Sequence, residues 1–243
     1  MKSLFFGGVH PGGHKESSAA VPLTAMALPA QAAVLLRQHI GAPCRPLVAV
    51  GDAVRVGQKI GDGDGLCVPV HAPVSGVVEA IEDRPHPGGG LCPAIIIKND
   101  FLDTPDPRLK PYSHPEFLSP EELVSIIREA GVVGMGGAAF PTDVKAKTGM
   151  SLADTVILNA CECEPYITAD DVLLRTRPGD VLRGLALLAR ILTPGRVVVA
   201  IEDNKPEAAA LLRERMADFP GTELKVLPTR YPQGAEKQLI QAV

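Results

Sequence analysis

Residues 154–160 read DTVILNA and residues 196–201 read RVVVAI, and between them residues 181–192 read VLRGLALLARIL. The two shorter runs are apolar without alternation, which predicts strands buried on both faces. The longer run lies between Pro178 and Pro194 and carries Leu at helical spacing, so a helix joins the strands. Residues 206–219 repeat the pattern as an amphipathic helix, 223–228 (ELKVLP) as a third strand, and 234–243 as the opening of another helix. Strands separated by helices predict a parallel sheet covered on both faces, an α/β fold.

Upstream of this sheet, Ser119-Pro120-Glu121-Glu122 is a helix start, with Ser as N-cap, Pro in the first turn and Glu122 closing a capping box. Leu123, Ile126, Ile127 and Ala130 give that helix its apolar face, and Gly131 stops it. Residues 105–115 (PDPRLKPYSHP) hold four prolines and read as a linker. Before them come short β-rich runs at 46–50, 54–60, 68–71, 76–81 and 94–98, each bounded by Gly, Pro or Asp, which predicts a small all-β unit. Residues 7–13 (GGVHPGG) read as a loop or arm. The expected organisation is therefore an arm and β-rich domain over 1–104, a proline-rich linker over 105–118 and an α/β domain over 119–243. Residues 238–243 stop in mid-helix, so the α/β domain is expected to be incomplete and the chain a fragment.

Composition narrows the function classes. The 243 residues carry a net charge of −4 with no basic stripe, which argues against nucleic acid. No apolar run approaches the ~18 residues of a membrane span. The first ten residues lack the pattern of a secretory signal, so a reducing, cytosolic setting is the default. Tryptophan is absent and aromatics are 4%, so the core is built from Val, Leu, Ile and Ala. Five cysteines at 44, 67, 92, 161 and 163 contain no CxxC, so no zinc ribbon and no ferredoxin-type cluster is encoded. The CxC of Cys161 and Cys163 is read as two unligated thiols, and no metal site is expected.

Residues 131–145 (GVVGMGGAAFPTDVK) form a glycine-rich loop. Glycine exposes backbone N–H groups and admits a ligand close to the main chain, so such loops can hold phosphate. This one lacks the Gly-Lys-Ser/Thr of a Walker A loop, and it follows a helix with GxxGxGG spacing where a dinucleotide fingerprint follows a strand. Asn159 ends a buried strand, the place where open parallel sheets hold ligands.

Two resemblances give these features a specific reading. Residues 50–60 (VGDAVRVGQKI) and 71–81 (HAPVSGVVEAI) resemble the two halves of biotinyl/lipoyl carrier domains, which implies a barrel-sandwich fold. Residues 61–70 (GDGDGLCVPV) between them hold no lysine, and Lys59 lies within the strand run, so a structural domain is expected in place of a swinging arm. Gly134 to Thr142 with Lys145, Asn159 to Pro165, and the YPQGAEKQL of 231–239 resemble three signatures of the flavoprotein subunit of respiratory complex I. With GGVHPGGHK, QHIG, HAPVSG, ECEPYITADD and IEDNKP in order, essentially the whole chain is similar to the RnfC (RsxC) family of Rnf ion-translocating complexes.

The resemblance implies a Rossmann-like domain binding FMN and NADH. Gly134, Gly136 and Gly137 would approach the flavin, with Lys145 near its phosphate and Asn159 on its ring. Phe140 would stack on the nicotinamide nucleotide, Glu162 and Glu164 would meet flavin and nucleotide hydroxyls, and Gly234 and Glu236 would close the pocket. No catalytic nucleophile or base is required. It further implies 4Fe-4S clusters in the part of such proteins beyond residue 243, membrane subunits of the Rnf complex and a ferredoxin-type partner, and a peripheral place on the cytoplasmic face of the plasma membrane. Met135 and Cys161 stand where the complex I family has Arg and Asp. A cobalamin-reductase-like flavoprotein and a non-catalytic docking scaffold are the alternatives.

Overall fold

The computed structural model describes residues 7–243 apart from Ser113 and Gly136. They form two compact units, one of residues 26–149 and one of the described residues up to 25 together with 150–243. The sequence-based break at 105–118 thus falls inside the first unit, while the N-terminal arm, with its short helix α1 (Glu16–Ala19), belongs to the second.

The first unit is a barrel sandwich of two antiparallel sheets. Strands β1 (Gln31–Leu35), β7 (Leu91–Asn99), β6 (Gly76–Pro85) and β3 (Ala53–Val54) form one, and β2 (Arg45–Pro46), β4 (Lys59–Asp62) and β5 (Val70–His71) the other. Ala94, Ile95, Ile96 and Ile97 of β7 are all buried, because β7 lies between β1 and β6 and is covered on both faces. Val34, Val54, Ile60, Val70, Val78, Ile95 and Ile97 close into one core. β1 has no counterpart in the sequence expectation: its QAAVL is poor in β-branched and aromatic residues, and its pairing with β7 fixes it. The expected strand over 54–60 is broken between β3 and β4, where Gly57 turns the chain at φ +77°.

Helix α2 (Pro120–Glu129) opens on the expected capping box, with Ser119 accepting from the Glu122 N–H and the Glu122 carboxylate accepting from the Ser119 N–H. Its far end is tied to the barrel: Arg128 reaches Asp62 at 2.8 Å, and Lys59 bonds both Asp62 and Glu129. Burial raises Asp62, but Arg128, the Gly63 N–H and Lys59 outweigh it and hold the carboxyl at about 2. Lys59, the lysine nearest the carrier tip, is therefore an ion-pair partner. Gly131 follows at φ +68°, and a Cβ there would fall on the Pro69 carbonyl, so glycine is required by both conformation and space. Helix α3 (Thr142–Gly149) completes the unit.

The second unit holds the α/β layers, as strand β8 (Thr155–Ala160), α4 (Ala169–Thr176), α5 (Pro178–Leu192), β9 (Arg196–Glu202), α6 (Pro206–Arg215), β10 (Thr222–Leu227) and α7 (Glu236–Ala242). The sheet is parallel with β9 in the centre. Alternate residues divide its faces. Ala160, Val199 and Ile201 pack under Leu174, Leu182, Leu185 and Leu212 of α4, α5 and α6, while Ala200 and Leu227 pack under Leu239 and Ala242 of α7. The expected two-faced parallel sheet is present. Among the described residues no helix is long and apolar enough to cross a membrane.

The register of β6 against β7 predicts a sharp contrast. Ile97→Ala should cost about 2–5 kcal/mol by opening a cavity, whereas Val77→Ala, at a position 45% exposed, should stay within about 1 kcal/mol. Urea titrations of the two variants check this.

Candidate functional site

The carboxyl ends of β8 and β9 and the turn after β10 carry a dense group of buried polar side chains. Glu162 is 3% exposed, Glu202 0%, Lys205 4% and Gln233 0%. In open α/β sheets this edge is where ligands bind.

Glu162 is held from three directions. Its Oε1 accepts from the Asp170 N–H at 2.7 Å, in the first turn of α4, where the helix dipole favours a negative charge. Its Oε2 lies 3.7 Å from both Lys15 and Lys205 Nζ and has no hydrogen-bond donor among the described residues. Burial raises Glu162 in spite of these partners, and it raises Glu202, whose Oε1 accepts from the Arg230 N–H at 3.4 Å and whose Oε2 is likewise without a donor. Both side-chain amide atoms of Gln233 are buried without a partner among the described residues. Buried polar atoms are normally satisfied, so this surplus at one sheet edge marks a place built to meet something polar.

The N-terminal arm supplies part of this edge. Val9 pairs with Tyr231 through two backbone hydrogen bonds of 2.9 and 2.8 Å. The Gly13 carbonyl accepts from the Tyr166 N–H, and the His14 ring stacks on Tyr166 at 5.1 Å. Lys15 then donates to the Glu162 carbonyl at 2.8 Å and the Ile167 carbonyl at 2.5 Å. Burial and the neighbouring Lys205 lower Lys15. The GGVHPGGHK stretch, read from sequence as a loop, is thus a strap whose lysine reaches a buried glutamate.

Asn159 is exposed at the end of β8; its Nδ2 donates to the Gly234 carbonyl at 2.8 Å and its Oδ1 accepts from the Cys161 N–H at 3.1 Å. It therefore braces the turn after β10 and keeps one donor and one acceptor site over. Gly234 is needed for that approach, because a Cβ would fall on the Cys161 carbonyl. Cys161 is a core thiol: burial, then Glu202, pushes it up to about 12. Glu164 and Glu236 are exposed, the latter in the first turn of α7.

The glycine loop belongs to the other unit. Its base is closed by the Val133–Pro141 bridge, Gly134 N–H donating to the Phe140 carbonyl at 2.9 Å and Thr142 N–H to the Val132 carbonyl at 3.1 Å. Gly137 has φ +105° with open space where a Cβ would stand, and Ala139 also has positive φ. Gly134 and Gly137 are exposed, Phe140 is 38% exposed, and Gly136 lies outside the described residues. Lys145 is exposed on α3, a helix that the sequence reading missed because its hydrophobic pattern is weak. The loop both follows one helix and opens another, an arrangement that presents free N–H groups to an anion.

The structure thus brings Asn159, Glu162 and Gly234 into one bonded edge in one unit, and sets Gly134, Gly137, Phe140 and Lys145 on one loop and helix in the other. Sequence reasoning missed Lys15, Glu202, Lys205 and Gln233. IEDNKP at 201–206 directly after a buried strand was the available signal for two of them.

Two family models match the chain. Residues 3–102 match the RnfC barrel sandwich hybrid domain and residues 127–243 the Nuo51 FMN-binding domain. A component of the Na+-translocating ferredoxin:NAD+ oxidoreductase complex of Acetobacterium woodii is 43% identical over 241 residues, covering 98% of this chain and 54% of that protein. A component of the ion-translocating oxidoreductase complex of Serratia proteamaculans is 44% identical over 237 residues, covering 97% and 34%. The chain therefore spans about half or less of the length of these relatives. An NAD+-reducing [NiFe]-hydrogenase chain aligns at TM-score 0.48 and 24% identity, over 54% of this chain and 24% of that one, a likeness too loose to carry an argument.

The buried edge has a pH signature. Because burial raises Glu202 above the ordinary 4.5, the unfolded chain releases this proton first. The stability it contributes is full below that value and is lost as pH rises through the folded one. Glu202→Gln should therefore unfold at higher urea than the parent at pH 8, with the gap closing toward pH 4.5; a gap that widens on acidification would refute the assignment.

Proposed function

We propose that this chain, which belongs to the RnfC family, is the flavin-bearing segment of an ion-translocating oxidoreductase subunit that passes electrons between NADH and iron–sulfur centres through FMN. The observation that supports this best is the group of buried polar atoms on Glu162, Glu202 and Gln233 that have no hydrogen-bond partner among the described residues, at the carboxyl edge of the parallel sheet and within the stretch that matches an FMN-binding domain.

The residues suit the group. FMN, when bound, would supply a two-electron acceptor for one hydride from a nicotinamide and a one-electron donor to metal centres. In the α/β unit, Asn159 would orient the ring with the amide capacity it has left over, and Glu162 and Glu164 would meet flavin and nucleotide hydroxyls. Gly234 and Glu236 would close the pocket. On the glycine loop, Gly134, Gly136 and Gly137 would approach the cofactor, with the Lys145 ammonium near its phosphate, a charge-assisted contact. Phe140, 38% exposed, would stack on the nicotinamide nucleotide. Met135, 97% exposed, offers no charge to the pyrophosphate.

The 4Fe-4S centres that would receive the electrons belong, in this reading, to the remainder of the full-length protein. The partners would be the membrane subunits of an Rnf complex and a ferredoxin-type carrier, and the place the cytoplasmic face of the plasma membrane. The barrel, with Lys59 in ion pairs, serves as a structural and docking domain.

The test is FMN titration, followed by flavin fluorescence, of this chain and of one extended to the length of the relatives. Asn159→Ala and Lys145→Ala should each weaken FMN by about tenfold, near 1.4 kcal/mol. Failure of the extended chain to bind FMN would overturn the reading.

A further inference from the structure

The barrel encloses three metal-ligating side chains to which the flavin reading gives no task. His39, in the turn after β1, is 6% exposed; Cys44, before β2, is 5%; Cys67, before β5, is 3%. Their ligand atoms all lie within 4.8 Å of one another. Cys44 Sγ is 3.5 Å from Cys67 Sγ, and Cys67 Sγ is 3.7 Å from His39 Nε2. The Val68 carbonyl oxygen faces all three, at 3.2 Å from Cys44, 3.8 Å from Cys67 and 3.2 Å from His39 Nε2.

These distances describe a ligand cage. Five of the six separations among these four atoms lie between 3.2 and 3.8 Å and the sixth, Cys44 to His39, is within 4.8 Å; a tetrahedron of edge about 3.5 Å has its centre about 2.1 Å from each corner, which is the length of a Zn–N or Zn–O bond and close to Zn–S. The imidazole is set in the matching sense. Its Nδ1 lies 3.1 Å from the Ile40 carbonyl and its Nε2 meets the Val68 N–H, which together suit the tautomer with the proton on Nδ1 and a lone pair on Nε2 toward the thiols. That lone pair accepts from the Val68 N–H at 3.3 Å, a bond a metal would displace together with the thiol bond from Cys44 to the Val68 carbonyl. The Cys44 thiol donates to the Val68 carbonyl. A cavity of about 200 Å³ lined by Gln38, His39, Val68, His71, Gly131 and Val133 gives the imidazole wall an approach from outside.

We propose that His39, Cys44 and Cys67, with the Val68 carbonyl as fourth donor, form a structural Zn²⁺ site that cross-links three segments of the barrel. Two thiolates and one imidazole are a borderline-soft set that suits zinc, and a fully buried four-donor cage leaves no open position for catalysis. Binding exchanges one Zn²⁺ for the two thiol protons, with no change of oxidation state. The site is independent of the flavin reading. Sequence spacing hides it, because the ligands come from three separated segments and form no CxxC.

Metal analysis of the 243-residue chain, expressed with added zinc and freed of loose metal by gel filtration, decides the matter. About one zinc per chain is expected, lost in Cys44→Ser and in Cys67→Ser and kept in Cys92→Ser, which alters a buried thiol outside the cluster. Cobalt substitution of the parent chain gives a readout that does not depend on any variant folding: a thiolate-to-cobalt charge-transfer band with tetrahedral d–d absorption is expected. A parent chain without zinc and without the cobalt band, or one whose mass shows Cys44 and Cys67 joined in a disulfide, would overturn the proposal.

Discussion

Glu162 is a carboxylate buried at the end of a parallel strand, and much of the α/β unit is arranged around the cost of keeping it there. Removing one partner from a buried charge is expensive, so the partners must be fixed in place. Lys205 is fixed because β9 ends at Glu202 and α6 begins directly after it. The α4 N-terminus is fixed by the same core that buries Leu174. Lys15 is fixed only through the arm, and this explains why a glycine- and proline-rich segment is pinned so closely, by Val9 to Tyr231 and Gly13 to Tyr166.

In the barrel, backbone proximity replaces charge as the governing constraint. Gly41 at φ +119° and Gly131 at φ +68° stand where a Cβ would fall on the Leu66 and Pro69 carbonyls. The chain entering and leaving the 61–70 loop is thereby brought close to the turn after β1 and to the end of α2. That loop occupies the place of the carrier tip, yet its sequence neighbour Lys59 is spent on Asp62 and Glu129, and Asp62 is shared with Arg128. Where a carrier domain presents a lysine to its cofactor, this one uses a lysine to fasten a helix.

The parts legible in the sequence are those that local chemistry specifies. RVVVAI is β-branched and bounded by helices, and it became the central strand; Ser119 with Glu122 wrote its capping box in four residues. The failures share one cause. β1 exists because β7 pairs with it, α3 because the glycine loop is closed at its base, and the 54–60 run is split by a turn at Gly57. Each is decided by tertiary contacts that propensity does not carry. At the candidate site, the glycine loop and Asn159 announced themselves by type and place. Lys15 and Gln233 did not, because a lysine in an arm and a glutamine in a turn look like solvated surface until the fold buries them.

The departures from the complex I pattern acquire a physical meaning from this burial. Where that family has Asp, Cys161 is a core thiol that packs with Ala200 and Leu239, and its Sγ reaches the Ala200 carbonyl at 3.5 Å. Held up to about 12, it carries no charge at neutral pH, so it cannot replace the missing carboxylate. The acidic character of the edge therefore rests on Glu162 and Glu202, and two lysines, Lys15 and Lys205, face them. The edge keeps buried charge of both signs, and the positive share depends on a lysine 147 residues away in sequence from the glutamate it serves.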